Sequence, residues 1–295
     1  LFGVINGVIS QNHRRHGILA AYRVDYVRVS ITGCNIHNCG WTGIYSIDVG
    51  TVPEGTSKIG KVSISGNVIT HSGGNYAADQ AGNAGIHIAG KLGTSITGNT
   101  ITDCGYDPDG TLQTVYGRGV YLVDVANVTV TGNAIKHCSR SGVETSSNQD
   151  VDGVVISSNI ITDCAEQCIK LSNGGTTNQH TGILITDNVM RQFLSDGHGI
   201  NIYDETGTKI VIRGNIIEGN KAGTDKAAIW FSRERSWSTD IFNNNFGNWD
   251  IGIQADYDTG TEEDWMIGIQ CRMDENIFDN VTTCFQTRPV YCALG

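Results

Sequence analysis

The chain has 295 residues and carries 20 Lys and Arg against 30 Asp and Glu, which gives a formal net charge of −10. A surface this acidic repels phosphate backbones, so we expect no nucleic-acid partner. No apolar run approaches the roughly 18 residues that a membrane-spanning helix requires, so we also expect no insertion into a membrane.

The predicted elements are strands joined by tight corners. Gly is abundant (38 residues), Pro is rare (3 residues), and β-branched residues are frequent, a composition typical of β proteins. One phrase recurs roughly every 30 residues: alternating apolar residues, a small residue, Asn and two further apolar residues. Strong copies centre on Asn67, Asn99, Asn133, Asn159, Asn188 and Asn215, weaker ones on Asn35, Asn245 and Asn276, and Gly7 takes the same position near the start.

A second phrase, Gly followed by Ile or Val and another apolar residue, comes after each copy of the first. Its copies begin at Gly17, Gly43, Gly85, Gly119, Gly142, Gly199 and Gly252, with Cys168 and Ala228 in the Gly position of two others. Both phrases alternate with the period of two that is typical of strands. Short repeated strands bury an apolar face only when successive repeats stack. The sequence therefore predicts an all-β fold, a right-handed parallel β-helix of about ten coils, with residues 1–295 forming a single domain.

Two stacked columns follow from this repeat. The asparagines should line one corner, where Asn tolerates a left-handed backbone and its amide bonds to the amide of the next coil. Cys104, Cys138 and Cys164 each lie five residues after their Asn, which predicts a column of buried free thiols. We interpret both columns as structural.

The Gly-Asn-apolar-Ile coils resemble the parallel β-helix repeats of the pectate-lyase-like superfamily over nearly the whole chain. The resemblance implies an acidic polysaccharide substrate, a location outside the cell or on a virion, and a possible homotrimer, as in polysaccharide lyases, epimerases and phage tailspike depolymerases. Tyr106-Asp107-Pro108-Asp109 is similar to the epimerase motif but lacks its His. No cap precedes Gly7, so we expect a fragment that lacks an N-terminal cap and possibly a C-terminal domain.

Candidate site residues come from the outward position two residues after each Gly, which we call the outer column. In coil order it contains Leu19, Tyr45, His87, Tyr121, Glu144, Lys170, Asn201, Trp230 and Gln254. Two long connections, Asn67 to Gly85 and Asn99 to Gly119, should form a wall beside its centre. The predicted catalytic residues are Tyr121, His87, Glu144, Lys170 and Arg118, and the predicted substrate-binding residues are Asp107, Asp109, Asp124, Asn201, Trp230 and Tyr45.

Two chemistries fit these residues. Hydrolysis would pair Glu144 with Asp107, Asp109 or Asp124 as acid and base. Elimination from a uronic acid would use Tyr121, His87 or Lys170 to move the proton, with Arg118 or a calcium ion neutralising the substrate, and it is slightly favoured. Calcium, suggested also by the turn at Asp150, is the only cofactor considered. The alternative is a fibre module that binds glycan without cleaving it or only spaces other domains.

Overall fold

The computed structural model describes residues 2–22, 26–48, 59–73, 83–90, 93–146, 151–172, 180–192, 197–203, 206–220, 226–232, 236–256 and 269–288. Thirty strands form three parallel sheets of ten strands each. No segment of this described part forms a helix with the length and apolar character needed to cross a bilayer. The predicted all-β parallel helix is confirmed.

The strands follow one another around the solenoid. The first ten are β1 (Phe2–Asn6), β2 (Ile9–His13), β3 (His16–Tyr22), β4 (Tyr26–Thr32), β5 (Asn35–Cys39), β6 (Thr42–Asp48), β7 (Ile59–Ser65), β8 (Val68–Ser72), β9 (Ala84–Ala89) and β10 (Gly93–Thr97). The next ten are β11 (Thr100–Thr102), β12 (Arg118–Val123), β13 (Ala126–Thr131), β14 (Ala134–Lys136), β15 (Ser141–Ser146), β16 (Val151–Ser157), β17 (Ile160–Thr162), β18 (Gln167–Ser172), β19 (His180–Thr186) and β20 (Val189–Gln192). The last ten are β21 (His198–Tyr203), β22 (Thr206–Arg213), β23 (Ile216–Gly219), β24 (Ala227–Ser232), β25 (Ser236–Phe242), β26 (Asn245–Gly247), β27 (Ile251–Asp256), β28 (Ile269–Asp274), β29 (Ile277–Asp279) and β30 (Thr283–Arg288).

Every third strand belongs to the same sheet. Sheet A begins with β1, sheet B with β2 and sheet C with β3, and each continues in steps of three. Alternate residues point inward, so Ile64 of β7 pairs in register with Ile96 of β10 and both are fully buried. Stacking identical apolar residues in this way fills the interior along the whole axis.

The asparagine column is a continuous hydrogen-bonded ladder at the corner between sheets A and B. From Asn67 to Asn244, the Asn side-chain nitrogen of each coil donates to the Asn oxygen of the next coil, for example from Asn133 to Asn159 at 3.0 Å. The same oxygen accepts the backbone N–H of Asn133 at 2.9 Å, and the Asn133 side chain also donates to the carbonyl of Ile96. The ladder satisfies backbone groups that the corner would otherwise leave unpaired in the interior.

Two of the three predicted weak copies, Asn35 and Asn245, were wrong by one residue, and the third, Asn276, is confirmed. Asn244, and not Asn245, carries the ladder onward to Asn276. At the other end the backbone N–H of Cys34, and not of Asn35, donates to Asn67. In the first coil, strand pairing aligns Ile9 with Asn35. The residue at the level of Cys34 is therefore Val8 and not Gly7.

The cysteine column is buried and unbridged, as predicted. Cys104, Cys138 and Cys164 are fully buried free thiols, and Cys39 occupies the equivalent position in an earlier coil. Burial raises the pKa of Cys39 to about 11. The neighbouring thiols of Cys104 and Cys164, together with burial, raise the pKa of Cys138 well above its ordinary value.

The recurrent Gly of the second phrase lies where the chain turns from sheet B into sheet C. A Cβ on Gly119 would lie 2.5 Å from the Cγ2 of Ile135 and 2.5 Å from the carbonyl oxygen of Gly142. Because real Cβ atoms do not approach other atoms this closely, Gly is required by space rather than by an unusual backbone angle.

Candidate functional site

The outer column of sheet C is assembled in the register that the sequence predicts. Tyr121 pairs with His87 on one side and with Glu144 on the other. Glu144 is followed in order by Lys170, Asn201, Trp230 and Gln254. Each of these residues is flanked along its own strand by inward residues such as Val143, so the column faces away from the core.

Facing outward does not make the centre of this column open to solvent. Glu144 is 2% exposed, His87 is 5% exposed and Tyr121 is 7% exposed. Tyr45, Lys170 and Trp230 are only half-buried. A ligand approaching this face would therefore meet Tyr45, Lys170 and Trp230 first.

The centre of the column is a cluster of charged side chains. Nε of Arg118 lies 2.8 Å and Nε of Arg140 lies 3.1 Å from Oε2 of Glu144. Arg140 also lies 3.5 Å from the carboxylate of the more exposed Glu166. Glu144 thus holds two guanidinium groups side by side, and a buried carboxylate requires such partners.

Tyr121 and Lys170 flank this cluster within sheet C. The guanidinium carbon of Arg118 lies 4.1 Å from the centre of the Tyr121 ring, a cation–π contact. Burial lowers the pKa of Lys170, while the neighbouring carboxylate of Glu144 acts in the opposite direction. A lysine with a lowered pKa is better suited than an ordinary lysine to accept a proton at neutral pH.

An aromatic run extends from Tyr121 towards the first coils. His87 lies between Tyr121, at 4.9 Å, and Tyr45, on which it stacks at 4.5 Å, and Tyr45 in turn contacts His16 at 5.0 Å. Both ring nitrogens of His87 are buried without a hydrogen-bond partner among the described residues. Burial, aided by Arg118 and His16, lowers the pKa of His87 to about 3, so its imidazole is neutral near pH 7.

On the other side of the cluster the column is polar but uncharged. His198 stacks on Trp230 with ring centres 4.5 Å apart, and its Nδ1 accepts the backbone N–H of Ala227. The side-chain oxygen of Asn201 accepts the hydroxyl of Ser232 at 3.0 Å. Trp230 presents a half-buried ring of the kind that can pack against the face of a sugar.

The wall was predicted from two long connections. Residues 74–82 of the first one lie outside the described residues, so only the second connection is described in full. The connection between β11 and β12 packs on the next coil, where Tyr106 stacks on His137 at 4.2 Å. Asp107 and Asp109 form a turn within it, and the exposed Asp109 carboxylate accepts the N–H of Thr111. Asp124 is half-buried after β12, where its left-handed backbone (φ 52°) turns the chain.

Sequence reasoning missed Arg140, Glu166 and Tyr116. Arg140 lies over the ring of Tyr116 at 5.5 Å, as well as against Glu144. Arg140 and Glu166 each stand two residues before the Gly position of their coil, at the corner before sheet C. A second column of residues, drawn through that corner position of each coil, would have revealed Arg140 and Glu166 in the sequence.

Two family models match the chain. The model described as a right-handed β-helix region matches residues 16–193, and the model described as periplasmic copper-binding protein (NosD) matches residues 109–283. No curated protein matches the chain significantly in sequence.

Solved structures share the fold at low sequence identity. The A-module of the mannuronan C-5 epimerase AlgE4 from Azotobacter vinelandii is 14% identical with a TM-score of 0.50, covering 97% of this chain and 80% of the epimerase. DFA-IIIase from Arthrobacter chlorophenolicus A6 without its lid is 13% identical with a TM-score of 0.54, covering 95% and 79%. The Dettilon tailspike protein is 13% identical with a TM-score of 0.51, covering 93% of this chain and 60% of the tailspike.

The copper in the NosD description has no matching donor set here. The described residues contain no group of three or more His, Cys, Asp or Glu that could hold a metal ion, and copper sites are built from imidazole and sulfur ligands. Asp150, which suggested calcium, lies outside the described residues.

Proposed function

Because this chain belongs to the right-handed β-helix family, we propose that sheet C binds an acidic polysaccharide and cleaves it by elimination. The observation that carries the proposal is the cluster at its centre. Arg118, Arg140 and Lys170 gather around Glu144 there, although the chain has a net charge of −10. Such a concentration of cations on an acidic molecule is suited to a carboxylate of the substrate.

In the proposed reaction the arginines neutralise the carboxylate of a uronic acid, which makes the proton on the adjacent C5 easier to remove. Lys170 accepts that proton, the electron pair forms the C4–C5 double bond, and the C4–O bond breaks. Tyr121 donates a proton to the departing oxygen. The product is one unsaturated sugar end and one ordinary sugar end.

The other predicted residues take supporting roles. Glu144 is a positioning residue, since both arginines contact its Oε2 atom. His87 is a poor base, because a group with a pKa of about 3 binds protons weakly at neutral pH. Tyr45, Asn201 and Trp230 would contact sugar units on either side.

Hydrolysis is the second candidate because one observation favours it. Glu144 and Glu166 both contact Arg140, at 3.1 and 3.5 Å, so two carboxylates of different exposure lie close together. A glycoside hydrolase requires such a pair as its acid and base. Asp107 and Asp109 instead form the turn described above.

The low exposure of Glu144 and Tyr121 favours a third outcome, in which the face binds glycan without cleaving it. In that case the half-buried Tyr45, Lys170 and Trp230 alone contact the ligand. The matched models and structures include a periplasmic and a tailspike protein by description. They support a place outside the cytoplasm or on a virion, and a homotrimer is part of that proposal.

The test is an incubation with uronate-containing polysaccharides, followed by ultraviolet absorbance of unsaturated ends and by assay of reducing ends. We expect both signals to rise together. Reducing ends without unsaturation would identify a hydrolase, and binding without products would contradict both cleavage mechanisms.

Substitutions assign the roles. Lys170→Met and Tyr121→Phe should each lower kcat by about 100-fold or more, the usual contribution of a group that transfers a proton. Tyr22→Phe is the matched control, because it removes a buried tyrosine hydroxyl of the same sheet that is bonded to Ser46, far from the cluster. Normal cleavage by both site variants would show that these residues are not catalytic.

A further inference from the structure

Two neighbouring columns on the outward face of sheet C carry their described charges only in the middle. Besides the outer column, a side column runs through the position three residues earlier, which includes His16, Arg118 and His198. In the two columns, as far as the structure describes them, charged side chains occur only at Arg118, Glu144 and Lys170. These belong to the adjacent strands β12, β15 and β18.

The described part of the two columns before this centre is uncharged at neutral pH. Tyr45 stacks on His87, whose pKa is lowered to about 3. Burial, with the help of Arg15, also lowers the pKa of His16. The ring nitrogens of His87 are buried without a hydrogen-bond partner among the described residues, so the half-buried ring of Tyr45 is the surface that this flank offers to a sugar.

The described part of the two columns after the centre is uncharged too. Asn201 and Gln254 carry amides, and Trp230 lies between them in the column. Nδ1 of His198 accepts a backbone N–H, so this imidazole carries no proton on that nitrogen and is neutral. From Tyr45 to Trp230 there are six strand steps of about 4.8 Å, or roughly 29 Å, long enough for several sugar units.

Each flank has one corner cation at the position that Arg140 takes in its own coil, two residues before the Gly position: Arg15 on one side and Lys226 on the other. Arg15 is exposed, with its guanidinium over the ring of Trp41 at 4.9 Å. Lys226 stands directly before β24 and Asp250 directly before β27, so charges of both signs follow each other there. Among the described residues, neither of these corner cations has an arginine of the side column beside it, as Arg140 has Arg118.

We infer that the substrate is a heteropolysaccharide in which single uronate units are separated by uncharged sugars. This rests on the proposed function of the same face. One uronate lies at the arginine pair, and uncharged units lie against Tyr45 and against Trp230. A homopolymer of uronates would bring carboxylates to both flanks, where no cation of the two columns compensates for their loss of water.

The experiment compares three polymers of matched length: an alternating copolymer of a uronate and a neutral hexose, a homopolyuronate, and the copolymer after reduction of its carboxyl groups to alcohols. We expect the alternating copolymer to bind at least about tenfold more tightly than either of the others. Equal or tighter binding of the homopolyuronate overturns this inference and leaves the proposed function standing. Binding of the reduced copolymer as tight as that of the copolymer overturns the role of the charged centre, and failure of every uronate polymer to bind overturns both proposals.

A substitution tests the flank directly. Tyr45→Arg places a cation on the uncharged flank, so it should raise affinity for the homopolyuronate relative to the copolymer by several-fold. Val68→Arg is the control, because it adds the same charge at an exposed position of sheet B. An equal gain in both variants would reveal a general charge effect and overturn the inference.

Discussion

A single side chain per coil holds one corner of this molecule together. Each Asn of the ladder from Asn67 to Asn244 is buried and uses both its amide nitrogen and its oxygen, as Asn133 and Asn159 do. The strong copies of the motif were predicted from sequence, because the small residue and the apolar pair around them set the register. The weak copy at Asn245 failed because two adjacent asparagines fit the motif, and both the hydrogen bonds and the burial of Asn244 distinguish the two.

The neighbouring residues Asn244 and Asn245 provide a test of the ladder. Asn244→Ala removes a side chain that bonds to Ile212, Phe242 and Asn276, and leaves buried backbone groups without partners. We expect a loss of about 2–4 kcal/mol in the free energy of unfolding, measured by denaturant titration. Asn245→Ala, at an exposed position, should change stability by less than about 0.5 kcal/mol. Equal effects of the two substitutions would contradict the assigned register.

At the scale of elements, the turn into sheet C depends on the fit between a Gly in one coil and an Ile in the next coil. The Cβ that Gly119 lacks would collide with Ile135 of the next coil, and the same relation joins Gly142 to Ile161. Where Cys168 replaces the Gly, the next strand of sheet B carries Met190 in the position of Ile161. A flexible Met can move aside where a β-branched Ile cannot. The repeat alone marked Cys168 as an exception without giving this reason.

The close approach of Gly119 to Ile135 predicts that a larger residue at position 119 destabilises the fold and that a substitution at position 135 reduces this loss. Gly119→Ala should cost about 3 kcal/mol through overpacking. The double variant with Ile135→Met should recover about 1 kcal/mol or more of that loss, because one of the two close contacts is relieved. Chemical unfolding of the two single variants and the double variant measures the coupling. Strict additivity of the two effects would show that Ile135 is not the obstacle.

Across the whole molecule, the sequence predicted the features that repeat in every coil and missed the contacts that belong to single coils. The repeat predicted the outer column in register, because every coil places the same position on the same face. It did not predict that Arg140 and Glu166 would join Glu144, since these contacts depend on corner geometry and side-chain reach. Nor did it predict how little of Glu144 is exposed.

The buried thiol column makes the stability of the whole solenoid sensitive to alkaline pH. Burial raises the pKa of Cys39 from 9.0 to about 11, so the folded state binds the proton more tightly than the unfolded chain. The resulting stability is complete below pH 9 and is lost as the pH rises towards 11. We expect the unfolding temperature to fall across this range, and to fall less for Cys39→Ser, since Ser72 occupies the equivalent position in the next coil. An identical pH profile for the variant would exclude Cys39 as a cause.

The ladder also means that the solenoid can change length only by whole coils. Each Asn bonds alike to the next, so removal of residues 133–158 would bring Asn159 directly after Gly132 and into the place of Asn133. The shortened chain would keep an unbroken ladder, yet it would lack Arg140 and Glu144. The repeated architecture and the local chemistry can therefore change independently. One excised repeat would leave a complete scaffold without the carboxylate that holds the two arginines together, and one inserted repeat could bring a different centre into the same scaffold.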